Sequence, residues 1–486
     1  VIDESELLAG FPAEVPVDPA EVAASVSASG RVLVVLDDDP TGTQSVADLP
    51  VLTRWEPEDF RWALTHRIDG RAAPAIYVLT NTRSLDPAET AERNRQVVRS
   101  ALAAAGETGT ELGFVSRSDS TLRGHFPLEP DVLADTVREV TGERTDGVVI
   151  VPAFPDAGRV TIGGVHYMRE AGGLVPVAET EFARDATFGF RSSALAEYVE
   201  EKSAGRFPAG SVIVLDLAII RGGAAGIADA VSSAADSTPV VADAVTENDL
   251  RALALGLAEA ERRGKRLLYR VGPPFVRARI GQEERAPLTA ADAYAGTDPA
   301  PGGGLIVVGS HVGLTTRQLG VLVAEHRGAR VVELDVERLL DADADAGSGS
   351  AHVATTVQTV VDALADGDVV LHTSRLLVKT EDPAESLRIA RTVSAAVVDV
   401  VRRTLAARPP RFVIAKGGIT SSDVAAHGLE IRHGVVRGPM LPGIVSLWQP
   451  VDGPARGIPY IVFAGNVGDD RSLLDVVRTL STTTPS

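Results

Sequence analysis

Short apolar runs of strand length recur along the chain and alternate with stretches of helical period. The runs fall at Val32–Leu36, Ala75–Thr80, Leu112–Ser116, Gly147–Val151, Val212–Leu215, Leu267–Val271, Leu305–Val308, Val331–Leu334, Val369–Thr373, Phe412–Ala415 and Tyr460–Ala464. Between them, Pro87–Ala105, Glu247–Arg263, Thr356–Ala365 and Ala384–Ala407 carry apolar residues at helical spacing. This alternation predicts an α/β fold, with parallel or mixed sheets covered by helices on both faces. A chain of 486 residues exceeds one ordinary core, so two domains are expected. The pattern breaks at Gly281–Gly304, rich in Ala, Pro, Gly and charge, which places the domains at 1–285 and 286–486. Asp341–Ser350, DADADAGSGS, lacks the spacing and terminal Glu of a calcium loop and reads as a solvated loop. No internal repeat is evident.

Composition narrows the functional classes. With 47 Lys and Arg against 66 Asp and Glu, the formal charge of −19 argues against nucleic acid and anionic membrane as partners, so an anionic ligand requires a local basic pocket. Zero cysteines exclude disulfides and thiolate metal sites, and with no apolar run of membrane length and no secretory pattern at the start the expectation is a cytoplasmic protein.

Residues Val34–Gln44, VVLDDDPTGTQ, are the most informative stretch. A buried parallel strand stops in Asp37, Asp38 and Asp39 and turns through Pro40, Thr41 and Gly42, at the sheet edge where α/β folds bind ligands. Carboxylates crowded there repel at a cost on the order of several kcal/mol unless a metal, a cationic side chain or a shifted pKa relieves them. Ser116–Phe126, SRSDSTLRGHF, follows another strand. Arg117 and Arg123 are suited to clamping a carboxylate or phosphate and Asp119 to accepting a proton; the alternative is a helix cap formed by Asp119 or Ser120. Arg83 in NTRS ends the preceding strand, and Arg159 is the one cation in the glycine- and proline-rich loop PAFPDAGRVTIGGVHY, which also reads as a hairpin.

In the second half, VVGSHVGLTT and FVIAKGGITSSD each lead an apolar strand into small residues and a helix, and FAGNVGDD adds a third glycine turn. Exposed backbone N–H groups at such turns cradle phosphate, with Ser310, Gly417, Gly418, Thr420, Gly465 and Asn466 in the turns and Lys416 adding charge. The P-loop, the GxGxxG fingerprint, HExxH and GxSxG are all absent. The histidines lack metal-ligand spacing, and His125, His166, His311 and His372 read as loop hydrogen-bonders.

Taken in order, DDDPTGTQ, SRSDSTLRGHF, PAFPDAGRVTIGGVHY, GSHVGLTTRQL, AKGGITSSDVA and AGNVGDD resemble the four-carbon acid sugar kinase family, from about residue 30 to 475. The resemblance implies an N-terminal acid-sugar-binding domain, a C-terminal nucleotide-binding domain and ATP-dependent phosphorylation of a terminal hydroxyl. Asp38, Asp39, Thr41 and Gly42 match its Asp-Asp-x-Thr-Gly turn, Asp119–Gly124 its Asp-Ser-Thr-Leu-Arg-Gly run, and Arg159 its glycine-rich loop. Ser310 matches the Gly-Ser turn, Gly417, Gly418 and Thr420 the Gly-Gly-x-Thr turn, and Gly465 with Asn466 the Gly-Asn turn. Arg117 stands where many members carry Lys, Ile419 where the residue is frequently acidic, and Val467 where Phe is frequent.

Phosphoryl transfer needs the phosphate and acceptor oxygen held in line, with cations spreading the developing charge. The expected site is the interdomain cleft, with Asp119 as proton acceptor, Asp39 as its rival, and Arg83, Arg117, Arg123 and Arg159 holding the acid sugar in the N-terminal half. ATP with Mg2+ is assigned to the C-terminal half, the metal ligands being unassigned. The acceptor class spans threonate, erythronate, a 3-oxo-tetronate or a branched 3-oxo acid, within carbohydrate catabolism. A dinucleotide enzyme and a non-catalytic sugar-acid or nucleotide sensor are the rival classes, and homo-oligomerisation is left open.

Overall fold

The computed structural model describes residues 2–340, 348–374 and 383–482. The polar stretch Asp341–Ser350 falls mostly outside them; from Ser348 the chain is already helical, through Ala363. The chain divides into two compact units, Val1–Leu49 with Trp55–Glu284, and Pro50–Arg54 with Arg285–Ser486.

In the first unit the strands run Ile213–Leu215, Thr238–Ala242, Gly147–Val151, Leu267–Val271, Leu112–Arg117, Val32–Asp37 and Ala75–Leu79, in that spatial order and all parallel. Apart from the edge strand Ile213–Leu215, where Val214 is exposed, their apolar sequences are almost wholly buried, as suits a sheet covered on both faces. From Val32–Asp37 the chain moves to one neighbour, Ala75–Leu79, and then to the other, Leu112–Arg117. Strand order therefore reverses between Asp37 and Arg117, and that crevice is where open α/β sheets take ligands.

The crossover helix Pro87–Thr108 shows how local chemistry sets an element. Asp86 caps it by accepting from Ala88 N and Glu89 N at 2.8 and 3.0 Å, Pro87 opens it, and Gly109 ends it at φ +68°. Its buried face, Asn94, Val97, Val98, Ala101, Ala104 and Ala105, follows the helical repeat. A separate antiparallel sheet, Arg159–Ile162, Val165–Glu170 and Gly173–Pro176, shows that the glycine- and proline-rich loop is a hairpin that also carries Arg159.

In the second unit Tyr460–Phe463, Val413–Lys416, Leu305–Val308, Val369–Thr373 and Arg330–Leu334 are neighbours in that order, all parallel. The antiparallel pair His433–Leu441 and Ile444–Pro450 extends the sheet beyond Tyr460–Phe463. Here the order reverses between Leu305–Val308 and Val413–Lys416, which puts the Gly309–Ser310 and Gly417–Gly418 turns side by side. The strand Leu49–Leu52 lies beside His433–Leu441, and Thr53 bonds to the carbonyls of Ile431 and Arg432, so a short N-terminal segment completes this unit.

The strand runs named from the sequence all form strands. Among those not named, Thr238–Ala242 contains Pro239 and His433–Leu441 carries a register shift at Val436–Gly438. Within Gly281–Gly304, Leu288, Ala293 and Tyr294 are buried in the second unit's core and Leu288 N donates to Pro439 O at 2.8 Å, whereas Glu283, Glu284, Ala286 and Pro287 are exposed. Limited proteolysis is expected to cut first at Glu283–Pro287 and to spare Ala290–Tyr294; first cleavage inside either sheet would contradict these unit boundaries. Among the described residues no helix is long and apolar enough to cross a membrane.

Candidate active site

The carboxylates at the end of Val32–Asp37 are relieved by cations. Asp37, 1% exposed, is paired with Arg117, itself 2% exposed, and burial still pushes the Asp37 carboxyl up to about 7. Arg117 also donates to Asp39 O at 2.7 Å, so its guanidinium is committed to the acidic turn. A side chain at Gly42 would overlap the Asp37 carboxylate and the Arg117 Nε; Gly42 is the residue that lets the turn close over this pair. Asp38 is held by a two-point contact from Arg83, Nη2 to Oδ1 at 2.7 Å and Nε to Oδ2 at 3.2 Å, with burial raising its pKa. Asp39 is half-buried and accepts from Thr41 N at 2.9 Å and Thr41 Oγ1 at 2.5 Å. Burial opposes its ionisation, but Arg83, Arg117 and these bonds hold its pKa below the usual value.

Across the crevice, Asp119 does not cap a helix: the next one starts at Leu128, after Pro127. Asp119 accepts from Arg123 Nε at 2.7 Å and from Thr121 Oγ1. Burial works against its charge, yet Arg83 and Arg123 bring the pKa down to about 2. Arg123 is fixed from outside the motif, its guanidinium 5.0 Å from the Phe182 ring centre and 3.8 Å from Asp185 Oδ2. Arg159 lies within electrostatic reach of Asp119 and Arg123, and its Nε is buried without a hydrogen-bond partner. A buried, unanswered guanidinium N–H is costly, and an anionic ligand would satisfy it.

The structure thus brings Asp38, Asp39, Thr41, Gly42, Arg83, Arg117, Asp119, Arg123 and Arg159 to one sheet edge. Beneath them the sequence reading missed a buried pair: Arg270 Nη1 donates to Glu129 Oε2 and to Ser116 Oγ, both at 2.7 Å. A Cβ at Gly124, φ +124°, would lie 2.8 Å from Arg270 Nη2 and 3.1 Å from Asp38 Oδ2. An arginine inside the apolar strand LLYRV was the available signal.

In the second unit, Gly309 N and Ser310 N both donate to Lys416 O at 3.2 Å, and Gly417 N donates to Phe463 O at 2.8 Å. Thr315 Oγ1 donates to Gly465 O at 2.8 Å and reaches Ser310 Oγ at 3.2 Å. Space in these turns is spent: a Cβ at Gly309 would overlap Thr420 Oγ1, one at Gly465 would sit 2.5 Å from Ser310 Oγ, and Gly417 has φ +125°. Ser310, Gly417, Thr420 and Gly465 therefore form one cradle, with Gly418 opening the helix Gly418–Asp423 and Asn466 exposed in the last turn. Lys416 stands behind the cradle: it is fully buried, donates from Nζ to Ala464 O at 2.6 Å over the Phe463 ring, and burial lowers its pKa to about 7.

Among the described residues no group of three or more His, Asp or Glu is placed to hold a metal ion. Asp37 and Asp38 are answered by Arg117 and Arg83 rather than left open to a cation.

Residues 33–279 match the sugar-binding N-terminal domain and residues 305–473 the nucleotide-binding C-terminal domain that together define one kinase family. The chain belongs to the four-carbon acid sugar kinase family. Among relatives, the D-erythronate kinase of Heliobacterium modesticaldum is 28% identical over 317 residues, a match spanning 64% of this chain and 64% of that protein. The D-threonate kinase of Salmonella typhimurium is 25% identical over 423 residues, 84% of this chain and 89% of its own. A solved protein of Salmonella typhimurium LT2, described as a candidate tRNA synthase, superposes with a TM-score of 0.65 at 18% identity, covering 92% of this chain and 98% of that one; at this identity the likeness shows the fold. The family's sugar-binding match contains the whole arginine and carboxylate site, and its nucleotide-binding match the whole glycine cradle.

Proposed function

We propose that this protein is an ATP-dependent kinase that phosphorylates a terminal hydroxyl of a four-carbon acid sugar of the threonate, erythronate or 3-oxo-tetronate type. The observation that carries the reading is the presence in one chain of two sites, each at a strand-order reversal. One pairs arginines with an ionised aspartate, and the other is a cluster of turns in which Gly309 and Gly465 leave no room for a side chain. The first suits a ligand bearing both a carboxylate and hydroxyls: Arg159 and Arg123 answer the carboxylate, Asp39 and Thr41 a hydroxyl. The second suits phosphates through the N–H groups that open the helix Gly418–Asp423, since those of Gly309, Ser310 and Gly417 are spent on the Lys416 and Phe463 carbonyls.

In this assignment Asp119 receives the proton of the attacking hydroxyl. A carboxylate held near pKa 2 is a weak base, so it takes the proton only as the O–P bond forms and the hydroxyl becomes acidic. Magnesium on the triphosphate would neutralise phosphate charge. A coupled ADP-release assay with ATP and magnesium over a library of acid sugars tests the proposal. Turnover with a tetronate-type acid supports it; tight acid-sugar binding with no ADP formed would make the protein a sensor instead.

Arg159→Ala is expected to raise the acid-sugar KM by roughly 10- to 100-fold, the range for a lost hydrogen bond to a charged group, with the ATP KM unchanged. Arg123→Ala should likewise act chiefly on the acid-sugar KM. Equal loss of ATP affinity in either variant would remove these arginines from acid recognition.

A further inference from the structure

The hairpin that carries Arg159 is tied to the Asp119 turn by a buried side chain. His166 is fully buried; its Nε2 lies 2.7 Å from Ser120 O and its Nδ1 2.9 Å from Thr161 Oγ1. A carbonyl oxygen only accepts, so Nε2 must carry the proton, and Nδ1 then accepts from the Thr161 hydroxyl. Burial pushes the imidazole pKa down to about 4 even though the Ser120 and Val160 carbonyls favour the charged form, so the ring is neutral.

Strand geometry extends the link. Thr161 is the cross-strand partner of His166, and it lies two residues from Arg159, so the alternation of a strand puts the Arg159 and Thr161 side chains on one face. The link runs from the strand that carries Arg159 through Thr161 and His166 to Ser120, the residue after Asp119. The far end of the hairpin is anchored independently, Gly163 N and Gly164 N donating to the Asp243 carboxylate at 2.6 and 2.8 Å.

We propose that His166 is a positioning residue that sets the separation between Arg159 and Asp119, and so fits the site to an acid whose carboxylate and reacting hydroxyl lie at one fixed spacing. The inference rests on the acid sugar kinase reading. It predicts that loss of the Ser120 link harms acid-sugar binding and turnover together while the nucleotide is bound as before.

The test compares His166→Phe, which removes both hydrogen bonds, with His166→Gln, whose amide N–H can still reach Ser120 O. His166→Phe should raise the acid-sugar KM and lower kcat, each by about tenfold, so that kcat/KM falls by about 100-fold, the upper range for two neutral hydrogen bonds lost together, with the ATP KM unchanged. His166→Gln should recover most of both. In histidine-labelled wild-type protein near pH 7, the nitrogen spectrum should show His166 as the neutral Nε2–H tautomer. A folded His166→Phe with normal constants, a Gln variant no better than Phe, or the Nδ1–H tautomer would each overturn the proposal. If His166→Phe does not fold, Thr161→Val replaces it: a raised acid-sugar KM with the ATP KM unchanged supports the link, and unchanged acid-sugar constants overturn it. Wild-type protein that releases no ADP with any acid sugar fails the kinase reading instead, a result distinct from an active wild type with an unaffected variant.

Discussion

Asp119→Asn is expected to lower kcat by roughly 10²-fold or more while the ATP KM changes little, since it removes the proposed proton acceptor but leaves the glycine cradle intact. Steady-state kinetics with the acid sugar that wild type turns over checks this. A near-normal kcat would pass the role to Asp39 or to no residue. The same variant has a pH signature in stability. The Asp119 pKa lies near 2 in the folded chain, below its ordinary 3.8, so the ionised form stabilises the fold. That contribution is fully present above about pH 4 and is lost as the pH falls towards 2. The melting-temperature gap between wild type and Asp119→Asn should therefore be constant near neutrality and close below pH 4; a gap that widens there would place the stabilisation elsewhere.

Gly417→Val should abolish or severely weaken nucleotide binding without disturbing the acid-sugar site. At φ +125° a β-branched residue is strained by on the order of 1–3 kcal/mol, and its Cβ would meet Ser310 Cβ at 3.2 Å. The turn would have to move away from Ser310, displacing the N–H groups assigned to phosphate. Calorimetric titration of ATP and of the acid sugar against the folded variant separates the two effects. Unchanged ATP affinity would remove the cradle from nucleotide binding.

Much of this organisation was legible in the chain. The β-branched runs became strands because burial on both faces demands continuous apolar sequence, and Asp86, Pro87 and Gly109 bracket their helix by purely local chemistry. The acidic turn was readable because crowded carboxylates at a strand end need compensation, and Arg117 with Arg83, together with the raised Asp37 pKa, supply it. The resemblance to acid sugar kinases rested on those same turns, and the family match covers both halves.

Other features depended on long-range packing. No local signal joins Thr53 to Ile431, or pairs Arg270 with Glu129 beneath Asp38. Composition could not tell that Lys416 lies behind its loop or that Arg117 is spent on Asp37, because both facts follow from which side of a strand faces the core. Sequence by itself determined the elements, the two halves and the residue types at each sheet edge, since periodicity, turn chemistry and charge act over a few residues. Only the tertiary structure decided which edges coincide with a reversal of strand order, which arginines stay available to a ligand, and that His166 links Ser120 to the Arg159 hairpin. Those outcomes depend on the order in which strands pair, and pairing is set by contacts between residues far apart in the chain.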